Sequence, residues 1–197
     1  MRIGLFGGSF DPVHNGHLAV ATACREAAEL DDVWFVPTAV QPHKPSGPIA
    51  SNQQRVAMLE LAGVRHSLVE IERGGVSYTV DTLRELGRLS PADQWFLLMG
   101  ADTLHDLPNW REPSAILQMA SPLVVGRPGE PPPDFACLSD LVDEGRLQSF
   151  RKLHVEMAPV DTSSSDIRRR IATGQSIETL CPTAVVNFIA RNNLYAG

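Results

Sequence analysis

Cysteine, lysine and long apolar runs are scarce in this chain, and each scarcity narrows what it can be. The three cysteines, Cys24, Cys137 and Cys181, are odd in number and widely spaced, with no C-x-x-C pair. Neither a disulfide framework nor a structural zinc site is expected, and the thiols read as buried or idle groups in a reducing cytosol. No apolar stretch approaches the roughly 18 residues of a membrane span. Met1 leads directly into Arg2-Ile3-Gly4-Leu5-Phe6, too short an apolar run for a secretory signal, so a cytoplasmic location is expected. Of the 17 basic residues only Lys44 and Lys152 are lysines, so local positive charge elsewhere must be arginine. With 23 acidic residues the net charge is −6, which argues against coating nucleic acid or an anionic membrane, and neither is expected as a partner.

What is present points to one domain over residues 1–197, with 43% hydrophobic residues to build its core. Short apolar runs alternate with helical patterns. Strands are expected at Ile3–Phe6, Val33–Val36, Ser67–Ile71, Trp95–Met99 and Leu123–Val125, with a further one over Leu153–Ala158. Helices are expected at His17–Leu30 with Asn15 as N-cap, from Ser51 to about Ala62, at Val80–Leu89 and at Ser114–Ala120. Prolines 42, 45 and 48 mark a loop, and Arg127–Asp134 reads as a surface connection. Two helices, about Ser165–Thr173 and Thr183–Asn193, form a C-terminal appendage over about 164–197. This alternation predicts an α/β fold, a Rossmann-like doubly wound parallel sheet with a short helical appendage. No feature assigns an oligomeric state.

Ligands of such sheets gather beyond the carboxyl ends of the strands. After the first strand comes Gly7-Gly8-Ser9-Phe10-Asp11-Pro12-Val13-His14-Asn15-Gly16-His17-Leu18. The glycines admit an anion close to backbone N–H groups, and the next helix adds the partial positive charge of its N-terminus. His14 and His17 stand three apart at that helix entry, close enough to face one ligand; capping or packing is the plainer role for either. An ordinary NAD loop is not supported: Gly4-Leu5-Phe6-Gly7-Gly8-Ser9 fails G-x-G-x-x-G, and Phe35-Val36-Pro37 brings no acid for a ribose. There is no G-x-x-x-x-G-K-[ST] phosphate loop either.

The Gly-Gly-Ser-Phe-Asp-Pro-x-His-x-Gly-His run resembles the signature of the nucleotidyltransferase superfamily with an H-x-G-H motif. Within it the chain is similar, over nearly its full length, to the bacterial nicotinate-nucleotide adenylyltransferases. The likeness continues in Pro42-His43-Lys44, Ser77-Tyr78-Thr79-Val80-Asp81-Thr82-Leu83, Gly100-Ala101-Asp102 with Trp110, and Thr162-Ser163-Ser164-Ser165-Asp166-Ile167-Arg168. Thr162 stands where the family usually has isoleucine, a departure that leaves the hydroxyls and Arg168 in place. An aminoacyl-tRNA synthetase fragment would also carry H-x-G-H, but its K-M-S-K-S partner is missing.

The resemblance implies transfer of the adenylyl group of ATP to nicotinate mononucleotide, giving deamido-NAD and pyrophosphate, a step of NAD biosynthesis. The attacking phosphate has a second pKa of about 6 and is already ionised at neutral pH, so no general base is required. The protein must align two anions and neutralise charge on the transferring group and the leaving pyrophosphate. By resemblance His14, His17, Lys44 and Arg168 do this. Gly7, Gly8, Ser9, Phe10, Gly100, Asp102, Ser163, Ser164 and Ile167 would bind ATP. Tyr78, Thr79 and Trp110 would hold the mononucleotide, Trp110 by stacking on the pyridine ring and the Thr79 N–H by receiving the carboxylate. Simpler roles exist for several of these: solvation for Lys44, a solvated helix face for Arg168, core packing for Trp110, and capping for Thr79 and Asp102. Mg2+ is expected to arrive with ATP, bound largely by phosphate oxygens and water, so no dedicated metal cage is implied.

Overall fold

The computed structural model describes residues 1–40, 47–126, 131–158, 160 and 162–196. Among these, five strands form one sheet: β1 (Arg2–Gly8), β2 (Asp32–Pro37), β3 (Gln94–Gly100), β4 (Ala120–Gly126) and β5 (His154–Glu156). Their order is β2-β1-β3-β4-β5, and the ladders of β1 with β3, β3 with β4 and β4 with β5 are parallel. The order steps from β1 to β2 on one side and to β3 on the other, the reversal of winding that defines a doubly wound sheet. β3 explains itself: Trp95 to Met99 are all buried, the continuous apolar run of a strand covered on both faces. Gly4 in β1 is needed for close packing. A methyl there would come within 2.8 Å of Leu98 and 2.9 Å of Leu30, an overpacking that typically costs about 1–3 kcal/mol.

The helices are α1 (Asn15–Ala27), α2 (Asn52–Leu61), α3 (Val69–Arg73), α4 (Thr79–Leu89), α5 (Ala101–Asp106), α6 (Pro113–Met119), α7 (Glu144–Arg151), α8 (Ser164–Ala172) and α9 (Thr183–Arg191). Two compact units are distinguished. The first holds Met1–Phe6, Val20–Trp34 and Ser77–Pro159, with α6 packed on β4 and α4. The second holds Gly7–Ala19, Phe35–Val76 and Val160–Gly197, with α2 packed on α9. The helical segment after residue 164 thus shares its unit with the loops that follow β1 and β2.

Three expectations are corrected. Ser67–Ile71 is not a strand. A single parallel bridge joins Phe35 to His66, with Phe35 N–H donating to Arg65 O at 2.9 Å and Ser67 N–H to Phe35 O at 2.9 Å. The chain then turns into α3, where the consecutive residues Val69 and Glu70 are both buried, a pattern no half-buried strand can produce. Asn15 does not cap α1: it is the first helical residue, and its side-chain amide donates to Thr179 O at 2.9 Å. α1 also ends short of Leu30, at Ala27, because Glu29 adopts a left-handed φ of 49°. Ser51, by contrast, caps α2 as expected, in a reciprocal capping box with Gln54.

Candidate active site

The loop after β1 is built on two stacked imidazoles. The His14 carbonyl accepts from His17 N–H at 2.9 Å and Leu18 N–H at 3.3 Å, so His14 holds the start of α1. The His14 backbone N–H donates in turn to His17 Nδ1 at 3.3 Å, which makes Nδ1 an acceptor and leaves the His17 proton on Nε2. The two rings stack with centroids 3.6 Å apart and 26° between planes. The Phe10 ring meets His17 edge-on at 5.1 Å and backs onto Phe35 at 5.1 Å. Gly16 is the spacer that this stack demands, since a methyl there would stand 3.0 Å from the His14 ring.

Burial holds both rings neutral. It pushes His14 down to about 4 and, with the adjacent His14 charge opposing a second one, His17 down to about 3. The pair therefore offers N–H donors rather than cations at neutral pH. Such donors suit phosphate oxygens on which negative charge develops.

Asp11 and Arg55 fix the loop from below. Arg55 on α2 is fully buried, and its guanidinium donates to Ser9 O at 2.6 Å, Thr38 O at 2.5 Å and Asn52 Oδ1 at 2.7 Å. Burial lowers its pKa while the charge of Asp11 raises it. The Asp11 carboxylate, also buried, accepts from Ile49 N–H at 2.8 Å, Ala50 N–H at 3.1 Å and the Tyr195 hydroxyl at 2.7 Å. The Asp11–Pro12 peptide is cis. Neither Arg55 nor Tyr195 was expected at the site. Arg55 shares its helix face with Met58 and Leu59, three and four residues on, so the spacing alone could have placed it inward.

α8 presents its N-terminus to the same loop. Ser163 caps it, accepting from Asp166 N–H at 3.1 Å, and Ser164 Oγ donates to Pro12 O at 2.9 Å. The Ser164 hydroxyl proton is thus engaged, while Ser163, used only as an acceptor, keeps its O–H to donate beside the backbone N–H groups and dipole of this helix end. Arg168 Nη1 donates to Asp11 O at 2.6 Å and Nη2 to Ser165 Oγ at 3.2 Å. Arg169 and Arg170 pair with Asp166 on their own helix, which pulls the Asp166 carboxyl below the usual range. Ile167 has a fully buried side chain, and its N–H donates to Ser163 O at 3.0 Å.

The second unit therefore gathers Gly7, Gly8, Ser9, Phe10, His14, His17, Ser163, Ser164 and Arg168. The first unit holds Tyr78, Thr79, Gly100, Asp102 and Trp110. Gly100 is the N-cap of α5, and Asp102 lies exposed in its first turn. Tyr78 precedes α4 and Thr79 is its first residue, with an N–H that has no partner within the helix. Trp110 is half-buried rather than core, its indole N–H donating to Asp106 Oδ2 at 3.2 Å. The next residue, Arg111, lies 4.8 Å from the Tyr78 ring centroid and 3.3 Å from Asp81, which draws Trp110 and the start of α4 together. Lys44, with Pro42 and His43, lies outside the described residues.

A model of the cytidylyltransferase-like family matches residues 5–170. The Rhodopirellula baltica protein named "Probable nicotinate-nucleotide adenylyltransferase" is 41% identical over 198 residues, spanning 98% of this chain and 92% of its own. A Thermomicrobium roseum protein of the same name is 41% identical over 199 residues, spanning 98% and 91%. Among solved structures, Plasmodium falciparum nicotinic acid mononucleotide adenylyltransferase complexed with NaAD superposes with a TM-score of 0.73. At 19% identity, over 98% of this chain and 97% of that one, this likeness speaks for the fold. With its H-x-G-H loop seated at the end of β1 in such a sheet, the chain belongs to the cytidylyltransferase-like family, among the nicotinate-nucleotide adenylyltransferases.

Proposed function

We propose that this chain is a nucleotidyltransferase that joins the adenylyl group of ATP to nicotinate mononucleotide, yielding deamido-NAD and pyrophosphate in NAD biosynthesis. A phosphate oxygen of the mononucleotide attacks the α-phosphorus in line. The new P–O bond forms as the bond to the bridging oxygen of pyrophosphate breaks, and that oxygen leaves with the electron pair. The observation that carries the reading is the stacked His14–His17 pair, held neutral, with the His17 tautomer set by the His14 N–H. Two neutral N–H donors in a buried loop are suited to a phosphoryl group whose charge shifts during reaction, and need no proton transfer of their own.

His14 and His17 donate to ATP phosphate oxygens, and the N-terminus of α8 with Arg168 takes the β- and γ-phosphates. Gly7, Gly8, Ser9, Phe10 and Gly100 contribute backbone, Asp102 accepts from a ribose, and Lys44 adds charge near the reacting phosphates. Thr79 N–H receives the nicotinate carboxylate beside Tyr78, and the Trp110 indole stacks on the pyridine ring. Among the described residues no group of three or more His, Cys, Asp or Glu could hold a metal ion. Mg2+ would come carried on ATP phosphates and water, where it offsets phosphate charge and leaves the chain to hold the polyphosphate. Among the described residues no helix is long and apolar enough to cross a membrane. The free cysteines suit a cytoplasmic setting, and the net charge of −6 speaks against a nucleic acid partner.

Pyrophosphate release tests the reading, with ATP and Mg2+ and, in parallel, nicotinate mononucleotide, nicotinamide mononucleotide or phosphopantetheine as acceptor. Turnover is expected with the first and much less with the other two. No release with any acceptor sinks the enzyme reading, and preference for the amide sinks the substrate.

A further inference from the structure

The Asp11 carboxylate is 2% exposed, and its donors come from distant stretches of the chain. Oδ2 takes the Ile49 N–H, while Oδ1 takes the Ala50 N–H and the hydroxyl of Tyr195. Arg168 Nη1 lies 3.7 Å from Oδ2, too far for a hydrogen bond, and bonds to the Asp11 backbone carbonyl instead, at 2.6 Å. The carboxylate is thus turned toward the backbone and Tyr195, and the Arg168 side chain is 26% exposed. Tyr195 is held at a φ of 63°, a left-handed conformation that a side chain as large as tyrosine adopts only where its surroundings compensate. Burial and the neighbouring Asp11 raise the pKa of the hydroxyl, so it remains a donor across the neutral range.

We propose that Tyr195 is a positioning residue for the anion-binding guanidinium of Arg168: its hydroxyl holds Asp11 Oδ1 and so keeps the carboxylate from closing on Arg168. Without the hydroxyl the carboxylate keeps, among the described residues, the backbone N–H donors of Ile49 and Ala50, and is held less firmly against turning. Closing the 3.7 Å Asp11–Arg168 ion pair to a hydrogen-bonded one would then consume donors that the polyphosphate of ATP needs. The proposal rests on the ATP-binding role given to Arg168 above.

The test is Tyr195→Phe, which keeps the ring and removes one oxygen. The Kd of Mg·ATP, read by calorimetry without acceptor, and the KM for ATP are both expected to rise about tenfold, the scale of one hydrogen bond to a charged group. The KM for the mononucleotide should stay within twofold. Val185→Ala, a cavity at a buried position of α9 that makes none of these hydrogen bonds, serves as the stability control and should lower Tm with both KM values unchanged. In an Asp11→Asn background, where the competing charge is gone, Tyr195→Phe should change ATP affinity less than twofold. An unchanged ATP Kd in Tyr195→Phe overturns the proposal, as does an effect that multiplies with Asp11→Asn. If Asp11→Asn does not fold, Tyr195→Phe against Val185→Ala decides alone. Failure of wild-type turnover with every acceptor would strike the proposed reaction, while the calorimetric arm still judges Tyr195.

Discussion

Stacking two imidazoles with 3.6 Å between centroids is tolerable only while they are uncharged, and burial keeps them so, at about 4 for His14 and about 3 for His17. Truncating His17 to alanine is expected to lower kcat by about 10²–10³, the scale of one lost transition-state donor; a change confined to KM would show that it only binds. Protonation gives a second expectation. Between pH 6.5 and about 4 the unfolded chain binds protons that the native rings refuse. Stability should therefore fall as acid is added through this window, by up to about 1.4 kcal/mol per pH unit per ring, and gain nothing from these groups above pH 6.5. Urea midpoints at pH 7 and pH 5 check this: His14→Gln should lose less than the wild type, and equal losses would refute it. In the ligand-free protein, nitrogen-15 spectra should show His17 neutral with its proton on Nε2. The pair was visible in the sequence as H-x-G-H, but the neutral state was not, because it comes from burial. The same holds for Arg55: its spacing with Met58 and Leu59 puts it inside, yet the acceptors at Ser9, Thr38 and Asn52 are known only once three segments meet.

Elements show where local signals sufficed. Ser51 with Gln54 announces α2, and Ser163 with its following serines announces α8, because capping is settled within a few residues. The end of α1 is different. Leu30 N–H reaches back to Arg25 O at 2.9 Å and Glu29 N–H to Glu26 O at 3.4 Å, a Schellman closure with glutamate, not glycine, at the left-handed position. With no glycine to mark it, the apolar pattern ran on to Leu30. Replacing Glu29 by glycine should remove left-handed strain while loosening the unfolded chain, for a net gain of about 0.5–1 kcal/mol. Chemical denaturation measures it, and a loss would show that Glu29 has a partner that matters. Ser67–Ile71 misled in the opposite way: its composition suits a strand, but a single bridge at His66 is its whole share of the sheet edge. α7 escaped notice because only Leu147 and Phe150 of its eight residues are buried, too few for a periodic signal.

Across the whole molecule the charge is −6 and both proposed substrates are anions, so binding must be won locally against an unfavourable mean field. Arginine does this sparingly, with Arg169 and Arg170 tied to Asp166 while Arg168 bonds the Asp11 backbone carbonyl and stands 3.7 Å from the Asp11 carboxylate, short of a hydrogen bond to it. Chelating Mg2+ with excess EDTA should abolish pyrophosphate release and restored Mg2+ should return it, since the chain has little positive charge to spare for bare ATP; turnover undiminished by EDTA would contradict this. Strand and helix alternation, the glycine loop, the paired histidines and the serine-capped last motif were all legible in order along the chain, because each depends on neighbours a few residues away. That was enough for the sheet class and, through the family resemblance those motifs carry, for the reaction. The sequence could not show that Asp11 receives Tyr195, 184 residues distant, that Arg55 clamps Ser9, or that burial silences two histidines. Those depend on desolvation and on contacts between remote segments, which exist only once the chain has folded.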